Sequence, residues 1–142
     1  MTQTENQTKA DKYLYRIRNR ETEIRGKRLE LEALRYKASG AGAIRYDKDR
    51  VQTSPQDYMT MAINDAIELE KQIKEDESAI EDLKGEAYAI VKRMDTRDCR
   101  AFIEWYYLNG LTMSETAEFM HVSERNVYYM QEKALEEYGA LL

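Results

Sequence analysis

Proline, cysteine and histidine each occur once in this chain of 142 residues, and glycine only six times. Each scarcity excludes something. A single cysteine, Cys99, forbids an internal disulfide, and with His121 as the one histidine a Cys/His zinc site lacks its ligands. Proline and glycine break helix interiors, and an all-β sandwich would want more of both at its turns. No apolar run approaches the ~20 residues of a membrane span, and nothing near the N-terminus has the apolar core of a signal peptide. The expectation is a cytoplasmic, helix-rich protein without membrane contact.

Charge is what the chain has in quantity. Charged residues make up 35% and hydrophobic residues 42%, and the mean hydropathy is −0.80. This balance suits long, water-facing helices with narrow apolar seams. The net charge is −5 but unevenly spread. Residues 9–50 carry thirteen Lys/Arg against seven Asp/Glu, residues 51–94 five against ten, and residues 95–142 four against nine. A basic segment followed by an acidic one of similar length suggests that the two pair, and no strongly basic domain announces nucleic-acid binding.

Hydrophobic spacing predicts the layout. Residues 1–8 are polar and expected to be a disordered tail. From Lys9 to Lys37, Ala10, Ile17, Ile24, Leu31 and Ala38 recur every seven residues, with Leu14 and Leu34 widening the stripe, which predicts a long amphipathic helix. The stretch from Ser39 through Gly40 to Ala43 ends it, and residues 39–54 read as a loop. Ser54 fits an N-cap and Pro55 the first position of a second long helix. There Met59, Ala66, Ile73, Ile80, Ala87 and Met94 form one row, and Ala62, Leu69, Leu83 and Ile90 a second, interrupted by Asp76. Such a seam serves either an antiparallel hairpin with the first helix, over residues 9–94, or a homodimer. Asp95-Thr96 offers a further N-cap, and residues 97–109 read as a third helix with Cys99, Phe102, Ile103 and Tyr106 on one face. Trp105, Tyr106 and Tyr107 read as core rather than as a binding platform.

The C-terminal segment, 95–142, is the most informative. Thr112 with Glu115 fits a capping box opening a short helix. Ala117 is small enough for a close helix crossing, His121-Val122 forms a turn, and Ser123 caps a last helix with Val127, Met130, Ala134, Leu135 and Tyr138 on one side. Two short helices joined by a tight turn make a helix-turn-helix pattern. The N-terminal end of its second helix is where base-reading side chains belong.

The stretch Gly110–Tyr138 resembles region four of bacterial sigma factors, through Leu111-Thr112, Glu115, Ala117, Val122-Ser123, Val127 and Lys133-Ala134-Leu135. The whole layout is similar to small phage regulators of the ArpU and RinA type. The resemblance implies an all-α fold, a helical hairpin followed by a helix-turn-helix bundle. It implies a transcriptional regulator of late or packaging genes, encoded by a phage or prophage and acting in the bacterial cytoplasm. The implied partners are double-stranded DNA and host RNA polymerase. The family's base-reading positions fall on Glu124, Arg125, Tyr128 and Tyr129. Asn126 adds a further base or phosphate contact, and Thr112, Ser123 and Lys133 are expected at the DNA backbone. His121 stands where the family has a turn glycine. Only Arg125 and Lys133 are basic after Arg100. Further cations would come from Arg16, Arg18, Arg20, Arg25, Lys27 and Arg28, from a second copy, or from a partner. A small-terminase-like packaging protein and a protein-binding coiled-coil adaptor are the alternatives.

Enzymatic chemistry is not expected. There is no Gly-rich phosphate loop, no Ser/His/Asp set and no metal cluster, and no cofactor is implied. Asp47 and Asp49 are spaced like two metal ligands but lack the rest of a calcium loop.

Overall fold

The computed structural model describes residues 3–40 and 55–142. Of the expected loop at 39–54, residues 39–40 form a turn after α1, and residues 41–54, with Ser54, Asp47 and Asp49, lie outside the described residues. The described residues form no strand. The helices are α1 (Glu5–Ala38), α2 (Pro55–Val91), α3 (Arg97–Phe102), a π-helical continuation at Ile103–Leu108, α4 (Met113–Met120) and α5 (Glu124–Leu141). No helix among the described residues is long and apolar enough to cross a membrane.

The chain divides into two compact units, one of residues 1–23 with 79–142 and one of residues 24–78. The boundary therefore passes through α1 and α2 rather than falling near residue 94. In each unit the α1 and α2 segments run antiparallel, forming the expected hairpin. In the smaller unit Ile24, Leu31, Ala62, Ala66, Leu69 and Ile73 are buried. Three ion pairs flank that seam. Lys27 meets Asp76 at 2.6 Å, Arg28 meets Glu77 at 2.9 Å, and Arg35 meets Glu70. Asp76 thus breaks the apolar row of α2 to meet a cation of α1.

The larger unit has one core. Ala10, Leu14 and Ile17 of α1 and Ala87 and Val91 of α2 are buried with Phe102, Ile103, Tyr107 and Leu108. Met94, Cys99, Ala117 of α4 and Val127, Ala134, Leu135 and Tyr138 of α5 complete the cluster. Burying side chains of this size contributes ~1.5–3 kcal/mol each. Val91 rather than Ile90 is the fully buried residue near the end of α2. A straight helix drifts ~20° per heptad against a strict seven-residue repeat, so the inward stripe moves by a residue over several heptads.

Three local expectations are corrected. Residues 5–8 are helical, not a loose tail. The Gln7 amide donates to Thr4 Oγ1 at 3.1 Å and the Thr4 amide to Gln7 Oε1 at 2.9 Å, a capping box that starts α1. In the third helical stretch Tyr107 and Leu108 are buried and Tyr106 only partly so. The wider π turn after Phe102 rotates the later side chains away from where a regular helix would place them. Met130 of α5 is only half-buried, while Val127, Ala134, Leu135 and Tyr138 are core.

The beginning of α1 lies against the end of α5. Thr4 Oγ1 donates to the Glu136 carboxylate, and Gln7 Nε2 donates to the Glu132 carbonyl at 3.0 Å. The backbones come so close at Gly139 that a Cβ there would sit 2.0 Å from the Asn6 carbonyl oxygen. Helix propensity alone favours alanine over glycine by ~0.5–1 kcal/mol, whereas overpacking against backbone costs ~1–3 kcal/mol. Gly139→Ala is therefore expected to lose ~1–2 kcal/mol net by urea denaturation. Gly85→Ala, where a Cβ meets nothing within 4 Å, should instead gain up to ~1 kcal/mol. Equal gains at both positions would mean that α1 does not press on Gly139.

Candidate functional site

The helix-turn-helix is built by short-range chemistry that the sequence already displays. Thr112 Oγ1 accepts from the Glu115 amide at 3.1 Å and the Thr112 amide donates to Glu115 Oε1 at 3.0 Å, closing the capping box of α4. His121 adopts φ 57° and ψ 41° at the end of α4. It is the one non-glycine residue of positive φ among the described residues, a conformation histidine tolerates better than most side chains. The Val122 amide donates to the Ala117 carbonyl at 3.1 Å, which completes the turn. Ser123 Oγ then accepts from the Asn126 amide at 3.2 Å and starts α5.

All eight predicted site residues are exposed: Thr112, Ser123, Glu124, Arg125, Asn126, Tyr128, Tyr129 and Lys133. They do not all share one face. Successive residues of a helix point about 100° apart. Arg125, Tyr129 and Lys133, spaced four apart, make one stripe opposite the buried Val127 and Leu135. The Arg125 guanidinium carbon lies 6.0 Å from the centre of the Tyr129 ring. From Arg125 to Lys133 the stripe runs ~12 Å along the axis, a length that a major groove accommodates. Glu124 and Asn126 flank its N-terminal end. Tyr128 points elsewhere, into a cleft of about 390 Å³ lined also by Gln3, Thr4, Gln7 and Gln131. Thr112 and Ser123 spend their oxygens as acceptors in the two caps, and each hydroxyl still has a proton to donate.

Much of the support behind this face is polar and long-range. Arg18 of α1 donates to the carbonyls of Tyr106 at 2.5 Å and Leu111 at 2.6 Å, and its guanidinium lies 3.8 Å from the Tyr106 ring centre. Arg18 therefore ties α1 to the connection that leads into α4 rather than offering a free charge. The buried Tyr107 hydroxyl donates to Asp11 Oδ1 at 3.1 Å and accepts from Gln131 Nε2 at 3.1 Å, linking α1, the π-helical stretch and α5. Burial and the adjacent Asp11 carboxylate raise the pKa of that hydroxyl well above its ordinary value.

The basic strip expected on α1 is thus largely committed internally. Arg18 is clamped, Lys27 and Arg28 are ion-paired, and Arg16 lies 5.4 Å from the Tyr13 ring centre. Glu124, Glu132 and Glu136 further dilute the positive charge of α5.

Sequence reasoning missed what anchors the start of α3. Thr96 occupies the N-cap position, yet its side chain makes no capping bond. Glu137 of α5 instead anchors the residues that lead into α3, accepting from the Asp95 amide at 2.6 Å and the Thr96 amide at 3.0 Å. Cys99 beside it is buried, and burial with the Glu137 carboxylate pushes its thiol up to about 11. Cys99 is therefore a neutral thiol near pH 7 rather than a nucleophile. Among the described residues no group of three or more His, Cys, Asp or Glu is arranged to hold a metal ion.

Burial works to raise the Glu137 pKa, but hydrogen bonds from Thr96 and Asp95 outweigh it and hold the carboxyl below its ordinary value. A depressed carboxyl pKa adds stability above the unfolded-state value of ~4.3, and that stability is lost as pH falls through the lower folded-state value. Glu137→Ala should cost ~1.5–3 kcal/mol at pH 7. Its deficit against the parent should shrink as the pH drops below ~4, read from thermal unfolding across pH. A deficit that stays constant with pH would show that the carboxylate charge is not what anchors the entry to α3. Comparison of the chain with protein-family models, curated proteins and solved structures finds no match.

Proposed function

We propose that the chain is a sequence-specific transcriptional regulator that reads double-stranded DNA with α5. One observation carries the reading: a stripe of Arg125, Tyr129 and Lys133 stands exposed on a helix that follows a tight turn at His121. Arg125 suits a bidentate contact to guanine O6 and N7, and Asn126 suits adenine or a phosphate. Tyr129 supplies an apolar face for thymine methyls and a hydroxyl for phosphate. Lys133, Thr112 and Ser123 are assigned to backbone contacts, and Glu124 can accept from cytosine N4. Tyr128 is assigned to the edge of the interface, beside the start of α1.

Phosphate neutralisation supplies most of the affinity of such proteins, and this face carries few cations. That scarcity supports a second copy joined through the hairpin, or host RNA polymerase, as a contributor to binding. The sigma-like pattern supports a phage or prophage setting in the bacterial cytoplasm, with late or packaging genes as targets.

The test is recovery of bound fragments from sheared DNA of the source genome at ~0.15 M salt. Enrichment of one site upstream of an operon is the expected result. Arg125→Ala should weaken binding to that site by ~1–3 kcal/mol and relax its sequence preference, while Lys133→Ala should weaken all sequences alike and lower the salt slope by about 1. Enrichment inside a packaging locus together with ring assembly would replace this reading with a small-terminase-like role. No enrichment with or without polymerase would leave a protein-binding adaptor.

A further inference from the structure

We propose that a stacked aromatic pair, Trp105 and Phe119, is a docking site for a partner protein segment that presents arginine or lysine beside apolar side chains. The rings of Trp105 and Phe119 lie 4.8 Å apart at 19°. Phe119 is 56% exposed, and neither ring belongs to the core cluster of the larger unit or to the side chains packed against it. Aromatic side chains carry ~150–250 Å² each; Trp105 is partly buried, but leaving the Phe119 ring in water forgoes burial that Phe102 and Tyr107 obtain. Phe102 and Tyr107 are fully covered.

The charge around the pair defines the occupant. No lysine or arginine occurs between Ala101 and Ser123, while Glu104, Glu115 and Glu118 do. Glu104 precedes Trp105, and Glu118 precedes Phe119 in the exposed part of α4. Glu115 lies one turn before Phe119, a neighbour on the helix surface, and accepts from the Thr112 amide at the cap. A ring face is itself electron-rich and attracts cations, by ~0.5–2 kcal/mol per contact. Rings and carboxylates therefore select a cation with an apolar neighbour. They repel an acidic peptide. The pair sits on α4 and the π-helical stretch rather than on α5, so the inference does not depend on DNA recognition.

Trp105 is the only tryptophan, so its fluorescence reports the site directly in the full chain. The probe is a short amphipathic peptide of arginine and leucine, with the glutamate–leucine peptide of the same pattern as control. A saturable change in Trp105 emission is expected with the arginine peptide alone, and it should weaken as salt rises. Phe119→Ala should weaken binding at least tenfold, and Glu118→Lys by about tenfold. Both residues are exposed and neither is in the core. Glu68→Lys on α2 should change nothing. Circular dichroism on each variant confirms the fold. No saturable change up to about 1 mM peptide, equal binding of the acidic peptide, or undiminished binding by Phe119→Ala would each overturn the proposal.

Discussion

The burial of the first turns of α1 in the C-terminal bundle is the constraint on which the rest of the larger unit depends. Ala10, Leu14 and Ile17 sit in one cluster with Val127, Leu135 and Tyr138, although more than a hundred residues of sequence separate the two groups. Helices as short as α3 and α4 are not stable alone. They persist because α1, α2 and α5 cover their apolar sides. The helix-turn-helix is therefore not an appendage of the hairpin. The hairpin's own ends form part of its core, and the pressure of Asn6 on Gly139 expresses the same dependence at the backbone.

Polar ties refine what burial begins. Arg18 collects two carbonyls where the π-helical stretch hands over to α4. Tyr107 bridges Asp11 and Gln131 across three elements. Glu137 of α5 holds the Asp95 and Thr96 amides at the entry to α3. Each bond contributes modestly when made, and each leaves a desolvated group behind when broken. Together they fix the angle at which α5 presents Arg125, Tyr129 and Lys133. Under the proposed DNA-reading role, a tilt of α5 by a few degrees would lose bidentate geometry long before the fold is lost.

The distribution of charge links structure to the proposed roles. Lys27, Arg28 and Arg35 of α1 are spent on Asp76, Glu77 and Glu70, and Arg18 on two carbonyls. Also exposed are a cation-poor stripe on α5, for which base reading is proposed, and the aromatic pair proposed as a docking site. The first is suited to selecting bases once a partner or a second copy adds affinity. The second is suited to a basic protein segment. One small acidic chain thus offers two surfaces of different chemistry.

Local patterns in the sequence determined a good part of this. The heptads of α1 and α2, the Thr112–Glu115 box, the Ser123 cap and the left-handed turn at His121 all follow from interactions a few residues apart, and such interactions are written in residue spacing. The exposure of Arg125, Asn126, Tyr129 and Lys133 followed too, because helical periodicity separates them from Val127 and Leu135. Even the start of α1 was legible in Thr4 and Gln7, a capping-box pair that the polar composition of the segment concealed. Only the tertiary structure decided that α1 enters the C-terminal core, that Arg18 is a clamp rather than a phosphate contact, that Glu137 anchors the entry to α3, and that Trp105 and Phe119 stay outside the core. These outcomes depend on which groups distant in sequence reach one another. A π turn that rotates the later side chains, or a backbone that touches Gly139, leaves no periodic signature to read.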